Sequence, residues 1–341
     1  FIESHFETKA NSLGSRLKIH NDLTNIRRSE GNNVKRAILE TKIDLPLKTK
    51  SGHLFNMQAM LRGDLYDYEN DSDPTIDNTT SSRLIPELSI DWNYPLINPS
   101  KKANIIIEPL AQLIIGENNN KNQKIENEDS LTPELSDDNL FFSNHYNGYD
   151  RAEYGTRANY GVKAGIYGKN NERLTFMIGQ NYRNQENNEF NEFSGMENHY
   201  SDYVGNIYLK TNQYFDVLYR TRLNEKFKTM RSKVKATLDF GFINLSGNHS
   251  FFKENNNKNK DVSGSITFKP TKKINLYFSG NKDLIDRETR NLTSKISYLG
   301  ECFNFAFEVK KDFSKDPRFE EPTSFSFLIS LKNLSEFQFQ Y

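Results

Sequence analysis

Apolar and polar side chains alternate with a period of two along most of this chain, and that period commits it to strands. In Cys302–Lys311, Phe303, Phe305, Phe307 and Val309 point one way while Asn304, Glu308 and Lys310 point the other. Val234, Ala236, Leu238 and Phe240 alternate in the same manner with Lys233, Lys235, Thr237 and Asp239, and Phe325, Phe327, Ile329 and Leu331 with Ser326, Ser330 and Lys332. Helical periodicity is scarce. The composition agrees: only 35% of the 341 residues are hydrophobic, whereas 13% are aromatic. Ordinary soluble domains are about 45–50% apolar, so these side chains meet apolar surroundings on one side of each strand only.

Several classes fall away on charge and cysteine content. The chain carries 45 basic and 45 acidic residues, which removes the electrostatic footprint of a nucleic-acid binder. No stretch approaches the roughly 18 uncharged apolar residues of a membrane helix, because Ala103–Ile115 is broken by Glu108 and Pro109. The single cysteine, Cys302, excludes an internal disulfide framework and a cysteine-rich metal site. The chain opens at Phe1 without an initiator Met or a signal peptide, as expected of a processed protein or a piece of a longer one.

The links between strands alternate in length. Short turns fall near Asn11–Gly14, Lys48–Gly52, Asn98–Lys102, Gly168–Glu172, Thr211–Gln213, Asp239–Phe242, Pro270–Lys273 and Leu299–Glu301. Longer polar segments fall between them, near Ile26–Asn33, Asp67–Ser82, Gly116–Thr156, Asn184–Ser201, Asn224–Thr229, Lys253–Lys260, Leu284–Glu288 and Phe313–Pro322. Up-and-down transmembrane barrels have this arrangement, with short periplasmic turns and longer extracellular loops. The expected fold is therefore all-β, an antiparallel transmembrane β-barrel. Its runs amount to about 17 strands. The first, Phe1–Ala10, and the last, Thr323–Asn333, then both descend toward the periplasm. Bacterial single-chain barrels have even strand numbers, so an odd count predicts that residues 1–341 are the C-terminal portion of a larger barrel whose first strands lie elsewhere.

The long segment after Gly116 carries more specific text: Asn127-Glu128-Asp129-Ser130, Asp138-Asn139-Leu140-Phe141, Gly148-Tyr149-Asp150-Arg151 with Glu153, and Gly155-Thr156-Arg157-Ala158-Asn159-Tyr160-Gly161. Leu84-Ile85-Pro86-Glu87 with Asp91-Trp92, Ile107-Glu108-Pro109-Leu110-Ala111-Gln112-Leu113, and the run from Tyr298-Leu299-Gly300-Glu301-Cys302-Phe303 to Ser330-Leu331-Lys332-Asn333-Leu334 extend it. This text resembles the barrel of the LptD family, lipopolysaccharide-assembly proteins of the outer membrane, in its alphaproteobacterial form, over residues 84–335. Residues 1–80 share only the strand pattern. The resemblance implies a barrel of about 26 strands. It also implies a periplasmic N-terminal jellyroll, absent from this chain, that receives lipopolysaccharide from an LptA-like bridge, and an LptE-like lipoprotein plug in the lumen. Lipopolysaccharide would leave through a lateral seam between first and last strands, the last-strand side being Thr323–Asn333 with Phe325, Phe327, Ile329 and Leu331.

In this topology Cys302 falls at the periplasmic start of the penultimate strand, on its polar, lumen-facing side. Some family members have a Cys-Cys pair there that bonds to the periplasmic domain; here the text is Glu301-Cys302, so the resemblance implies at most one such bridge. A free thiol is the other reading. Asp129, Asp138, Asp150, Arg151, Glu153 and Arg157 could suggest acid–base chemistry or a hard-cation site. No histidine or nucleophile–base arrangement accompanies them, and the preferred expectation is a loop over residues 116–156 that is extracellular or folded into the lumen, where it plugs or gates the barrel through Asp–Arg pairs. Surface packing is the alternative. The six histidines stand far apart without metal-ligand spacing, and no metal or cofactor is expected. The Asn- and Lys-rich stretches 118–124 and 255–260 read as solvated loop tips, and the sequons at Asn78 and Asn291 as chance matches. Tyr94, Tyr208, Tyr219, Tyr277 and Tyr298 suit interfacial aromatic girdles.

The expected function is a non-enzymatic lipopolysaccharide translocon in the bacterial outer membrane, in contact with outer-membrane lipid. A porin or receptor-type barrel for small solutes shares the composition but not the loop text, and would show solute conductance without a lipoprotein partner. An outer-membrane lipid hydrolase would need a nucleophile–base pair, which is not found. A soluble β-rich binding protein would dissolve without detergent.

Overall fold

A computed structural model describes residues 1–29, 31–69, 79–132, 134–186, 189–211, 214–254, 257–313, 323–331 and 335–340. Its described residues form nineteen strands. In the first part of the chain these are β1 (Ile2–Glu7), β2 (Arg16–Ile26), β3 (Asn33–Lys48), β4 (Leu54–Glu69), β5 (Thr79–Asn93), β6 (Leu96–Asn98), β7 (Ala103–Gly116), β8 (Arg157–Gly168) and β9 (Arg173–Arg183). They are followed by β10 (Tyr203–Thr211), β11 (Phe215–Leu223), β12 (Thr229–Asp239), β13 (Ile243–Glu254), β14 (Asn257–Thr271), β15 (Ile274–Asp283), β16 (Thr289–Leu299), β17 (Phe303–Asp312), β18 (Thr323–Leu331) and β19 (Ser335–Gln340). No helix among the described residues is long and apolar enough to cross a membrane. The chain divides into two compact units, the first holding residues 1–97, 106–163 and 178–204, the second residues 98–105, 164–177 and 205–341.

In the first unit β1 to β5 form successive antiparallel hairpins, and β5 pairs with β7. The faces of these strands are inverted relative to a soluble protein. Along β5, Leu84, Leu88 and Ile90 are exposed, whereas Ser81, Arg83, Ile85, Glu87 and Ser89 are buried. Along β4, Leu65 is 59% exposed and Asp64 only 1%. A sheet that exposes leucine and buries carboxylates and guanidinium groups has its apolar solvent outside, as a transmembrane barrel strand does. On the inner face Ile125, from the segment after β7, packs with Val34, Tyr66 and Tyr68.

In the second unit β11 to β19 continue as antiparallel neighbours. Phe303 faces Leu331, Phe305 faces Ile329, Phe307 faces Phe327 and Val309 faces Phe325. This register makes one apolar stripe across β17 and β18, on which Phe307 and Phe325 stack with ring centroids 6.3 Å apart. Phe303, Phe305, Phe307, Phe325, Phe327 and Leu331 are all exposed.

The structure bears on three sequence expectations. First, about 17 strands were expected, and the described residues hold nineteen, in keeping with that figure. β6 is the tail of the β5 pass: the Tyr94 N–H still donates to the Pro109 carbonyl at 3.2 Å, but Pro95 has no N–H to continue the ladder. Counting β5 and β6 as one pass leaves an even number, so the parity argument loses its premise. Second, β18 is not the last strand, nor β17 the penultimate. Residues 335–340 pair with β18 from Ser326↔Gln340 to Leu331↔Ser335, so Phe325, Phe327, Ile329 and Leu331 stand on a strand paired on both sides. The six residues 335–340 are too short an alternation to register as a strand. Third, Lys253–Lys260 is not a long loop. β13 runs to Glu254 and β14 starts at Asn257, with Lys253 opposite Lys258. Backbone hydrogen bonds carry the ladder through residues that are polar on both faces and so show no alternation.

Candidate functional site

β7 ends at Gly116 and β8 begins at Arg157, and the segment between them folds against the buried polar face of β2 to β5. Three arginines receive it. Arg36 on β3, Arg62 on β4 and Arg83 on β5 all lie on the inner, polar-facing positions of their strands, which is why their guanidinium groups are buried rather than in lipid.

Arg36 donates through Nε to Asp22 at 3.0 Å and through Nη1 to Asp129 at 2.5 Å and Asp150 at 3.0 Å. The Asp150 Oδ1 atom also accepts the Tyr66 hydroxyl at 3.0 Å, and its Oδ2 takes the N–H groups of Glu128 and Asp129 at 2.7 and 3.0 Å. Asp64 is bound bidentately by Arg62, at 2.9 Å to each oxygen, and again by Arg83 Nε at 2.5 Å. Arg62 and Arg83 both donate to the Tyr149 carbonyl oxygen. Arg83 also reaches the Asp150 carbonyl at 2.8 Å and the Asn122 side-chain oxygen at 2.9 Å. Arg36 and Arg62 lie 5.3 and 5.2 Å from the centroid of the Tyr149 ring, within cation–π range.

The backbone of the loop is shaped for this docking. Gly148 has φ +84°, and the turn it permits directs the N–H groups of Tyr149 and Asp150 onto Asp129 Oδ1 at 3.0 and 3.1 Å. Burial disfavours the charged form of Asp129, but the Arg36 bond and these backbone donors outweigh it and hold the carboxyl at about 2.

A second cluster surrounds Glu153. Its Oε1 accepts the His145 N–H at 2.7 Å and lies 2.5 Å from His145 Nδ1, while Arg157 and Arg183 approach its Oε2 at 3.6 and 3.5 Å. Complete burial opposes ionisation of Glu153, yet His145 and the two arginines push its carboxyl well below the usual range. Arg157 also pairs with Glu87 at 2.6 Å. The neighbouring segment 184–202 completes the packing: Leu135 N–H donates to the Ser194 carbonyl at 2.8 Å, and Tyr146 stacks on Phe190 with centroids 5.0 Å apart. Leu135, Leu140 and Met196 are fully buried there.

Of the six loop residues singled out in the sequence, the structure brings Asp129 and Asp150 together on Arg36, and Glu153 with Arg157 in the second cluster. Arg151 donates to the Ile125 and Asn122 carbonyls at 2.7 and 3.3 Å. Asp138 is exposed in the turn near 137–141. Sequence reasoning missed the receiving side: Arg36, Arg62, Asp64, Arg83 and Glu87 on the strands, and His145 and Arg183. The available signal was charge on the polar-facing positions of successive strands whose alternate positions are leucine. Cys302 is exposed and lies in the turn before β17.

A family model described as LptD, LPS transport system D, matches residues 2–250. The chain belongs to the LptD family. LptD proteins are transport proteins of the bacterial outer membrane, not an enzyme family, and the strand faces described above are those of a transmembrane β-barrel. Among solved structures, the FrpB iron transporter from Neisseria meningitidis is similar at TM-score 0.45 and 7% identity, covering 98% of this chain and 65% of that one. A triple mutant of the Rh. blastica porin is similar at TM-score 0.33 and 9% identity, covering 99% of this chain and all of that one. This LptD-family chain thus spans 65% of the iron transporter's length. No curated protein matches it.

Proposed function

We propose that this chain forms part of the wall and the internal plug of a lipopolysaccharide translocon that delivers its substrate to the outer leaflet. The observation that carries this reading is the LptD match over residues 2–250. The inner face supplies the physical means: buried Arg, Asp, Glu, Asn and Gln side chains can solvate a saccharide head, while the outer face offers acyl chains only apolar contact. The loop over residues 117–156 occupies that polar face and acts as a gate whose charge pairs with Arg36, and whose carbonyl contacts with Arg62 and Arg83, must exchange for other partners when it moves.

In this reading lipid leaves sideways through a seam of the barrel, with β18 and β19 as this chain's candidates for one side of it. An LptE-like lipoprotein contacts the lumen, and an LptA-like bridge delivers lipopolysaccharide to an N-terminal periplasmic domain. Cys302, exposed in its turn, forms a disulfide with that domain.

The test is purification of the full-length protein from outer membranes, with a non-reducing gel and an assay of lipopolysaccharide at the cell surface after depletion. Retention of a small lipoprotein, loss of surface lipopolysaccharide on depletion, and a mobility shift abolished by Cys302→Ser are the expected results. A barrel that purifies alone, conducts small solutes and leaves surface lipopolysaccharide unchanged on depletion would replace this reading with a porin.

A further inference from the structure

The hairpin of β1 and β2 assembles three side chains for which the docked loop has no complete use. His5 and His20 are direct partners in the strand register, and Glu3 lies two residues before His5 on the same face. Spacing along the chain does not reveal this, because the two histidines are separated by a turn and meet only across the pair. Their rings lie 4.3 Å apart, and their Nδ1 atoms face each other at 3.3 Å. Glu3 Oε1 is 3.3 Å from His5 Nε2 and 3.9 Å from His20 Nδ1. One donor atom from each of the three residues lies within 4.8 Å of the other two.

This spacing has a chemical meaning. Zinc binds imidazole nitrogen at about 2.0–2.1 Å with tetrahedral angles, which sets two ligating nitrogens about 3.3–3.4 Å apart. The histidine pair already presents that edge. Glu3 is exposed and unbranched, so its carboxylate can close the remaining distance by side-chain rotation alone.

His20 is also held from behind. Its Nε2 lies 2.6 Å from the Tyr149 hydroxyl, and the two rings stack at 5.3 Å with an interplanar angle of 18°. Metal-ligating histidines almost always bond their second ring nitrogen to an oxygen that fixes tautomer and orientation, and Tyr149 stands in that place. Tyr149 itself lies within cation–π range of Arg36 and Arg62.

We propose that Glu3, His5 and His20 form a binding site for a divalent transition metal of the zinc type, with its fourth position open to water. Two imidazoles and one carboxylate favour Zn2+, Ni2+ or Cu2+ over Mg2+ and Ca2+, which prefer all-oxygen shells. The ion cross-links β1 to β2. All six residues of β1 are exposed, so it is a strand with little side-chain burial to hold it, and through Tyr149 the ion also couples that strand to the docked loop. This inference rests on the hairpin geometry and is independent of what the barrel transports.

The test uses tag-free protein purified from outer membranes, stripped with chelator and titrated with Co2+, followed optically, and with Zn2+, followed by calorimetry. One ion per chain, with the visible bands of tetrahedral Co2+ and displacement by Zn2+, is expected. Affinity falls at least about tenfold in His5→Ala and Glu3→Gln, and about 10–100-fold in Tyr149→Phe, where the ligands remain but the orienting bond is gone. His249→Ala is the control and leaves binding unchanged. His5 and Glu3 are exposed, so heat-modifiable mobility on gels verifies that their variants remain folded. Wild-type affinity no greater than that of folded His5→Ala, or identical Co2+ bands in both, would overturn the proposal.

Discussion

Arg36 and Asp150 are 114 residues apart in sequence and 3.0 Å apart in space, and both are buried. This pair fastens a long inter-strand loop to the inner face of the sheet. Its strength comes from completeness: Asp150 also accepts Tyr66 and two backbone N–H groups, so little of its desolvation cost is left uncompensated.

Removing one partner exposes that cost. Asp150→Ala should destabilise the docked loop by about 3–5 kcal/mol, because it leaves Arg36 buried with a lost counter-charge. Limited proteolysis should then cut within residues 117–156 while the strands keep their heat-modifiable mobility. Asp138→Ala, at an exposed position, should change the loop by no more than about 0.5 kcal/mol.

Acid should undock the loop at a definable pH. The Asp129 carboxyl is held at about 2 in the folded protein, against about 3.9 in an unfolded chain. Because the folded value is the lower one, its contribution is fully present above about pH 4 and is lost as pH falls toward about 2. Glu153 is shifted in the same direction and adds to the loss. A spin label at Asp138→Cys, in a Cys302→Ser background, should stay immobile from pH 8 to 5 and gain mobility below about pH 4. Asp129→Asn should reduce the acid-dependent part.

Gly148→Ala tests the turn that shapes the anion cradle. A Cβ at this position would lie 2.5 Å from the Asp129 carbonyl oxygen and 2.5 Å from its Oδ1, and φ is +84°. The strain should cost about 1–3 kcal/mol and loosen the loop much as Asp150→Ala does. Gly31→Ala shares the positive φ but has open space around it, so the difference between the two in the same protease assay isolates the steric part.

The outward stripe of β17 and β18 should be sensitive to charge. Phe305→Arg should cost about 2–4 kcal/mol if it sits near the bilayer midplane, and Ser326→Arg, on the other face, much less. Urea titration of folding into lipid bilayers measures both. Equal costs would mean that the two faces are misassigned.

The strands were legible in the sequence because their cause is local. A residue such as Phe305 or Asn304 declares its face by its neighbours, and period-two patterning survives whatever the strand pairs with. Even there the reading failed where the pattern lapsed: Lys253 and Lys258 pair across a hairpin that looks like a loop, and residues 335–340 form a strand too short to announce itself.

The site was half legible. The loop text marked Asp129, Asp150, Glu153 and Arg157 as charges worth explaining, and an Asp–Arg plug was the expectation. The Arg36 that receives two of those carboxylates, and the Asp64 that organises Arg62 and Arg83, lay on strands where a lone charge reads as a solvated lumen position. His5 and His20 were invisible as a pair for the same reason. The period, the inverted faces and the unusual loop are properties of residues adjacent in the chain and can be read from it directly. Which polar groups meet depends on the fold, because strand register and loop docking set distances of about 3 Å between residues up to 129 positions apart.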